Sequence, residues 1–404
     1  MGRVIAIVVV LLGAAFVAVQ LLRPTPGVRV TSVAVSARLP GAPVTLAWPS
    51  EGEAAIGVEG TGVLAAHGTQ TETPLASLAK VMAAYVVLRD HPLSATSNGP
   101  DITVSATAVA VYQKDRANGD SVVAVQAGEQ LTELQALEAL LIPSGDNIAT
   151  LLADWDAGSE PAFVAKMNAE ARRMGLAHTH YADASGVAPG TVSTATDQLR
   201  LAMAAMRVPT FARVVAKAQV TLPVAGLQYN VNSQLGTNGI VGIKTGFTTT
   251  AGACFVFAAT TTVGARTATV VGAVLHQRAT RAHPSALTDA FAASEALLTS
   301  ADHALERATV VRSGAALGHL AAPWAPPVGL DASRSVTLTG FPGQQVQIKV
   351  DVPRRITTPI GGGHRVGTAS VGLRGPGSVP PVHLRLVAAR SLPSASLGWR
   401  LTRL

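Results

Sequence analysis

The chain has 404 residues, and 48% of them are hydrophobic, which is enough to bury at least one core in a chain of two or three domains and excludes disorder over most of its length. The formal net charge is +7, but the arginines are scattered apart from the pairs Arg172-Arg173 and Arg354-Arg355. This charge favours an acidic wall polymer or acidic lipid as a partner and argues against nucleic acid.

Residues 4–22 form an uncharged apolar stretch that is bounded by Arg3 and Arg23 and is long enough to span a bilayer. The run from Val17 to Leu21 offers only a weak signal-peptidase site, because valines stand where small residues are needed. We expect an uncleaved signal anchor, with a cleaved signal peptide as the alternative. Both predict that the rest of the chain is exported.

Residues 23–48 contain prolines, valines and threonines without helical periodicity, which predicts an extended spacer that enters a first strand. Two apolar runs follow, at residues 54–58 and 62–66, separated by the turn at residues 59–61. This pattern predicts a β-hairpin with a three-residue turn.

A helix is predicted from about Pro74 to Leu88, and its nearly continuous apolar character indicates that it is buried in the centre of the fold. The next helix begins with the capping box from Thr132 to Gln135 and ends at Pro143. The dipeptide Ser144-Gly145 therefore lies on a turn between two helices.

Two further helices are predicted, from about Asn147 to Trp155 and from Pro161 to Met174, which makes the middle of the chain rich in helix. Strand patterns return at residues 240–246, 254–260 and 267–275. Their connections are short, which favours antiparallel neighbours.

A helix from about Ser285 to Leu298 completes this unit, and beyond about Ala308 short alternating runs punctuated by Gly and Pro predict a small all-β domain. The expected fold class is therefore α+β, an antiparallel sheet with a helical subdomain, preceded by a transmembrane helix. The expected divisions are a cytoplasmic tail (1–3), the anchor (4–22), an extracytoplasmic linker (23–48), a catalytic domain (49–303) and a C-terminal β-rich domain (304–404).

Three short motifs occur in a fixed order: Ser77-x-x-Lys80, then Ser144-Gly145-Asp146, then Lys244-Thr245-Gly246. Any one of them alone is weak evidence. The order is more informative, because the chain has only 6 lysines and two of them occupy motif positions. This ordered set is typical of enzymes that form an acyl ester on serine.

Each motif suits a step of such chemistry. Residues three apart on a helix share a face, so the amine of Lys80 can reach the hydroxyl of Ser77 and, when neutral, remove its proton. Ser144 can donate and accept at once, which suits a proton shuttle. Lys244 and Thr245 offer a cation and a hydroxyl to a substrate carboxylate, and Gly246 allows the substrate backbone to approach closely.

The chain resembles the serine D-alanyl-D-alanine carboxypeptidases, the low-molecular-mass penicillin-binding proteins. The resemblance covers roughly residues 53–277 and includes the sequences around the motifs at 76–82, 140–145, 163–168, 184–186 and 242–248. It implies the fold shared by penicillin-binding transpeptidases and β-lactamases.

The implied activity is removal of the terminal D-alanine from peptidoglycan stem pentapeptides through an acyl-Ser77 intermediate, with inhibition by β-lactam antibiotics. By the same resemblance, the backbone N–H groups of Ser77 and Phe247 would form the oxyanion hole. Such a substrate implies a single-pass protein of the bacterial cytoplasmic membrane with its catalytic domain outside.

The chain departs from the family pattern at one point. The family reads Ser-x-Asn followed by Asp, whereas Asp146 here precedes Asn147. A carboxylate keeps the acceptors of an amide but loses its donors, which bears on how the two residues would orient substrate. The alternative is that Asp146 only caps the helix beginning at Asn147.

The same motifs are compatible with two other functions. A β-lactamase needs a glutamate-activated water, and the glutamates between the second and third motifs are Glu160 and Glu170, neither in an obvious loop for that role. A wall-binding scaffold that lost turnover because of Asp146 is the second alternative.

The sequence does not imply a metal or a cofactor. The pair His178-x-His180 lacks a third ligand nearby, and neither a phosphate-binding loop nor a dinucleotide fingerprint follows a suitable strand. Cys254, the single cysteine, lies in an apolar run without an evident base and is expected to be a small core residue.

Overall fold

The computed structural model describes residues 2–32, 37–279, 285–375 and 381–403. A short 3-10 turn at Ala76–Leu78 precedes the second helix. The helices of the described residues are α1 (Gly2–Leu22), α2 (Ala79–Asp90), α3 (Ala106–Asn118), α4 (Glu133–Leu141), α5 (Asp146–Ala157), α6 (Glu160–Arg173), α7 (Ala195–Met206), α8 (Pro209–Val215), α9 (Ala286–Ala304) and α10 (Leu397–Thr402).

The strands fall mainly into two antiparallel sheets, one of five strands and one of seven. In chain order they are β1 (Arg29–Ser32), β2 (Ala37–Arg38), β3 (Glu53–Val58), β4 (Gly62–His67), β5 (Thr73–Pro74), β6 (Asp101–Thr103), β7 (Gln130–Thr132), β8 (Val192–Ser193), β9 (Gln219–Leu222), β10 (Gly226–Tyr229), β11 (Ile240–Thr248), β12 (Gly252–Val263), β13 (Arg266–Gln277), β14 (Glu306–Val311), β15 (Ala316–Ala322), β16 (Ala325–Ala332), β17 (Val336–Gly340), β18 (Gln345–Asp351), β19 (Arg365–Leu373) and β20 (Val382–Ala388).

The first sheet has five strands in the order β11-β12-β13-β3-β4, with every neighbouring pair antiparallel. Helix α9 packs against β12 and β13, and α7 packs against β13, β3 and β4. The predicted hairpin and the three predicted antiparallel strands are therefore confirmed. Strand β11 lies at the edge of this sheet, which leaves its outer side open to a ligand.

Helix α2 is the centre of the helical subdomain, because nine of its side chains are buried and it packs against α4, α5, α6 and α7. The capping box of α4 is present, with Thr132 accepting from the Gln135 backbone and Gln135 accepting from the Thr132 backbone. The predicted start of the first of these helices at Pro74 is wrong. Residues 76–78 form the 3-10 turn, and the α-helix begins at Ala79.

The second sheet has seven strands in the order β1-β15-β16-β20-β19-β18-β2. Its two outer strands come from the segment before the catalytic unit, since Arg29 pairs with Ala321 and Ala37 pairs with Val346. The segment expected to be an extended spacer, residues 23–48, therefore also contributes two short strands, which the sequence did not predict. These strands complete the seven-stranded sheet.

Helix α1 contains 21 residues, and its apolar side chains are exposed. It is long and apolar enough to cross a membrane, although a signal sequence meets the same test. Gln20, near its end, is the buried residue of this helix.

Candidate active site

Ser77 lies on the 3-10 turn in front of α2, and Lys80 lies in the first turn of that helix. The Nζ atom of Lys80 donates a hydrogen bond to the Ser77 Oγ atom over 2.7 Å. Ser77 is half-buried, whereas Lys80 is fully buried. The serine hydroxyl therefore faces the cleft while the amine approaches it from the protein side.

The turn that carries Ser77 depends on close backbone packing. Ala76 has a φ of +50°, and Gly186 lies directly against its carbonyl group. A Cβ atom on Gly186 would come within 1.8 Å of the Ala76 carbonyl oxygen, so no larger residue fits there without moving the turn. Gly186 itself has a φ of +91°, which glycine adopts without strain.

Ser144 lies on the turn between α4 and α5 with a φ of +70°, which directs its side chain into the site. Its Oγ atom accepts from Lys80 Nζ at 3.3 Å and from Lys244 Nζ at 2.9 Å. The hydroxyl thus connects a residue of α2 with a residue of β11. The side chains of Lys80, Ser144 and Lys244 form one hydrogen-bonded group with Ser77.

Lys244 is buried in the middle of β11 and also donates to the Thr245 carbonyl oxygen at 2.9 Å. Burial lowers the pKa of Lys244 well below its usual value, and the nearby charge of Lys80 lowers it further, while Asp146 opposes the shift. The charged form of Lys244 is therefore unfavourable at this buried position, and an anionic ligand in the cleft would stabilise it.

Asp146 is the first residue of α5 and forms an ion pair with Lys80, with 2.5 Å between Oδ1 and Nζ. Its Oδ2 atom accepts from the Ser121 backbone N–H at 2.9 Å. The interpretation of Asp146 as a helix cap is wrong, because Gly145 is the N-cap and the carboxylate is used by Lys80 and the loop at Ser121. Lys80 thus has three acceptors for its three N–H bonds: Ser77, Ser144 and Asp146.

The structure does not bring Asn147 into the cleft. Its side chain is 3% exposed, its Oδ1 atom accepts from the Val123 N–H at 2.9 Å, and its Nδ2 atom donates to the Val123 carbonyl at 2.9 Å. The expected contact with substrate is therefore corrected: both halves of this carboxamide are occupied by the backbone of Val123. Asn147 fixes the loop that borders the site.

The end of β11 forms one wall of the cleft. Gly246 runs beside the nucleophile, since a Cβ atom there would lie 3.1 Å from the Ser77 backbone nitrogen. Thr245 is buried beneath it, and the Phe247 side chain is 55% exposed. The cleft has a volume of about 580 Å³ and is lined by Ser77, Gly119, Asp120, Ser121, Ser144, Asp146, Gly186, Val187, Val231, Thr245, Gly246, Phe247, Thr248, Thr249, Thr250 and Leu287.

Sequence reasoning missed the loop after α6 as part of the site. The Asp183 Oδ2 atom accepts from the Ser185 hydroxyl and from the backbone N–H groups of Gly186 and Val187, and Oδ1 accepts from Thr191. This carboxylate holds Gly186 against the nucleophile turn. The sequence signal is an aspartate followed by small residues, Ala184-Ser185-Gly186, which is typical of such a turn.

The two glutamates considered for water activation are both occupied away from the cleft. Glu160 accepts from the Ala184 backbone N–H at 3.1 Å, and Glu170 is paired with Arg89 and Arg173. Neither contributes to the lining of the cleft. This arrangement argues against the β-lactamase alternative.

Other reactive side chains do not add to the site. Cys254 is buried in β12, and burial raises the pKa of its thiol to about 12, so it is a core residue as expected. Within residues 2–32, 37–279, 285–375 and 381–403, no group of three or more His, Cys, Asp or Glu side chains is arranged to hold a metal ion.

The fold and the site define a class of protein. An antiparallel sheet packed against a helical subdomain, with a serine–lysine pair under the edge strand and a second lysine on that strand, is the arrangement of penicillin-recognising serine enzymes.

Comparison with known proteins agrees. The D-alanyl-D-alanine carboxypeptidase family model (peptidase S11) matches residues 49–274, and the chain belongs to this family.

Several relatives are similar to this chain. A D-alanyl-D-alanine carboxypeptidase of Streptomyces sp. (strain K15) is 32% identical over 234 residues, which is 54% of this chain and 77% of the relative. The D-alanyl-D-alanine carboxypeptidase DacB2 of Mycobacterium tuberculosis is 34% identical over 204 residues, which is 49% of this chain and 66% of the relative.

Among solved structures, penicillin-binding protein 5 of Haemophilus influenzae superposes with a TM-score of 0.63 at 20% identity and covers 88% of this chain and 100% of its own. The fold class expected from the sequence, including the strand-rich C-terminal domain, is therefore confirmed.

Proposed function

We propose that the chain is a serine D-alanyl-D-alanine carboxypeptidase that removes the terminal D-alanine from peptidoglycan stem peptides through an ester on Ser77. The observation that supports this most directly is the contact of Lys80 Nζ with Ser77 Oγ at 2.7 Å, together with the Ser144 bridge to Lys244. A serine hydroxyl is a poor nucleophile without such a base.

Acylation begins when Lys80 is neutral. It then keeps two N–H bonds, for which Ser144 and Asp146 are the acceptors, and its lone pair points to Ser77. The Ser77 oxygen attacks the carbonyl carbon of the penultimate D-alanine while its proton passes to Lys80. The tetrahedral oxyanion lies against the N–H groups of Ser77 and Phe247, the C–N bond breaks, and the leaving amine takes a proton through Ser144.

Deacylation repeats these steps with water. Lys80 removes a proton from the water, the hydroxide oxygen attacks the ester carbonyl, and the Ser77 oxygen leaves and takes that proton back. The products are the shortened peptide acid and the free enzyme. In this scheme Asp146 positions Lys80 and the loop at Ser121.

Substrate specificity follows from the strand side of the cleft. Lys244 and the Thr245 hydroxyl suit the terminal carboxylate of a D-alanyl-D-alanine peptide, since a charge-assisted bond is the strong form of such a contact. The exposed Phe247 ring offers an apolar surface for the substrate methyl groups. β-Lactams present the same carboxylate next to a reactive amide and would acylate the same serine.

The test is covalent labelling. We expect benzylpenicillin to label the full chain on a peptide that contains Ser77, and an N-acylated peptide ending in D-Ala-D-Ala to release one D-alanine per turnover. Ser77→Ala should abolish both, whereas Ser50→Ala, at an exposed serine outside the site, should not. Labelling that survives in Ser77→Ala would overturn the proposal.

We further propose that α1 is retained as a membrane anchor and that the catalytic domain lies outside the cytoplasm. The support is its 21-residue apolar length, its exposed side chains and the flanking residues Arg3 and Arg23. Intact mass spectrometry of the membrane-extracted protein distinguishes the alternatives. A mature mass that lacks residues 1–22 would refute the anchor and support a cleaved signal peptide.

A further inference from the structure

The C-terminal segment of the chain is bound to the end of α1. Arg403 donates to the Gln20 carbonyl at 3.0 Å, Gln20 donates in return to the Arg403 carbonyl at 3.0 Å, and Arg400 donates to the Leu21 carbonyl at 2.6 Å. The last carbonyl groups of a helix lack partners within the helix, and cations are favourable beside them. Two arginines from the other end of the chain therefore cap α1.

Aromatic side chains surround this contact. The Trp399 ring of α10 meets the Trp324 ring edge-on, with 5.5 Å between centroids, and the Arg403 guanidinium lies 5.4 Å from the Trp399 ring centroid. Trp324 also donates to the Pro393 carbonyl at 2.8 Å. Leu397, on the same short helix, is 66% exposed. The cap thus has an apolar and aromatic outer surface beside its arginines.

The charge around this contact is positive. Residues 2–50, 315–330 and 389–403, which supply α1, the Trp324 turn and the C-terminal segment, contain no Asp or Glu. The arginines Arg400 and Arg403 stand among these residues. This surface therefore has positive charge to offer to an anion.

The position of this surface relative to a bilayer follows from the length of α1. A helix of 21 residues is about 31 Å long, which matches a hydrocarbon core of about 30 Å. Its polar residue Gln20 then lies where the hydrocarbon ends. Groups that bind the carbonyls of Gln20 and Leu21 lie at the level of the lipid headgroups, where Trp and Arg side chains are favoured.

We propose that Trp324, Leu397, Trp399, Arg400 and Arg403 form an interfacial collar around the end of α1 that binds the headgroups of anionic phospholipids in the outer leaflet. The inference rests on the proposed retention of α1 as an anchor. The arginines supply positive charge beside the lipid phosphates, and Leu397 and the tryptophans enter the boundary between headgroups and acyl chains.

The collar would fix the height and tilt of the enzyme. Only residues 23–28 separate α1 from strand β1, which is an edge of the seven-stranded sheet. One short connection alone lets that sheet pivot about the anchor. A second attachment through the C-terminal segment removes the pivot and holds the catalytic unit at a set distance from the membrane.

The test uses the full chain in lipid nanodiscs, with Trp48→Phe and Trp155→Phe so that fluorescence comes from Trp324 and Trp399. Discs of phosphatidylcholine receive increasing fractions of phosphatidylglycerol together with a headgroup-nitroxide lipid as quencher. We expect quenching to increase with phosphatidylglycerol. In Arg400→Gln/Arg403→Gln, the fraction needed for half-maximal quenching should rise at least about fivefold, the effect of one arginine near an anionic surface.

The matched control is Arg354→Gln/Arg355→Gln, which removes the same charge from an exposed pair in the same half of the chain and should behave as the parent. Penicillin labelling of Ser77 confirms that each variant is folded. Quenching that is equal in both lipids, or unchanged in Arg400→Gln/Arg403→Gln, overturns the collar alone. A chain that does not enter the discs overturns the anchor and the collar together.

Discussion

Replacing Asp146 by asparagine tests the most unusual feature of the site. The carboxylate lies 2.5 Å from Lys80 Nζ, and the two side chains are 7% and 0% exposed, so solvent screens their interaction poorly. The change removes a negative charge while keeping an oxygen that can accept from Lys80. It therefore separates the effect of charge from that of hydrogen bonding.

The expected result is slower acylation of Ser77. Asp146 and Ser144 are the acceptors that hold Lys80 Nζ beside Ser77, and an asparagine whose oxygen turns to the Ser121 N–H presents its NH2 group to Lys80 instead. Loss of a buried acceptor costs about 1–3 kcal/mol, so the acylation rate of Asp146→Asn should fall by about 5- to 150-fold.

The same change should reduce stability. An asparagine can present only one oxygen, so either Lys80 or the Ser121 N–H loses its acceptor. Loss of a buried acceptor costs about 1–3 kcal/mol. Asp146→Ala removes both contacts and should lower the maximal rate as well, since Lys80 is then free to turn away from Ser77.

The assay is stopped-flow acylation by a fluorescent penicillin across the pH range in which circular dichroism shows the fold to be intact. Asp154→Asn is the matched control, because it makes the same chemical change at an exposed position of the same helix. An acylation rate in Asp146→Asn that equals that of the parent would show that the carboxylate does not hold the base in place.

Three further predictions concern other parts of the fold. Gly186→Ala should slow penicillin labelling of Ser77 and lower the melting temperature, because the new Cβ atom would lie 1.8 Å from the Ala76 carbonyl oxygen. Gly190→Ala is the control and should change both quantities little, because its Cβ atom would meet only the Ala182 methyl group, at 3.2 Å. Lys244→Met should reduce kcat/KM about a hundredfold and remove the alkaline limb that the lowered pKa of Lys244 predicts below pH 10.5, as measured by peptide hydrolysis. Burial raises the pKa of Glu133 from 4.5 to about 7, so between these values the native state keeps a proton that the unfolded state loses. The free energy of unfolding should therefore fall as pH rises from about 5 to about 7. Urea titration should show a smaller fall in Glu133→Gln.

The sequence was most informative where structure depends on local spacing. The turn at Ser144, the capping box of α4 and the antiparallel strands from Ile240 to Gln277 follow from residues close together in the chain, and all are present. The four residues of the proposed reaction could be chosen because their motif order is informative. Their hydrogen bonds could only be seen in the structure.

What could not be predicted depends on distant partners. Strand β1 pairs with β15, which lies far along the chain. The four residues of this edge strand have no sequence pattern from which the partner strand could be predicted. The sequence of the loop at Ser121 and Val123 does not predict that its backbone N–H groups donate to Asp146 and Asn147. The motif alone therefore predicts Asn147 in the cleft, whereas its carboxamide bonds to the Val123 backbone.

The order of Asp146 and Asn147 has a physical reason in these contacts. Both partners of Asp146 are donors, the Lys80 amine and the Ser121 N–H, so two acceptor oxygens suit the position and an amide supplies only one. Asn147 faces both the N–H and the carbonyl of Val123, so it needs a donor and an acceptor, which a carboxylate lacks. Reversing the pair would leave a polar group unsatisfied at each position. The exchange therefore acts as one unit: it fixes the loop beside the cleft and, in doing so, places a carboxylate on the base of the proposed nucleophile.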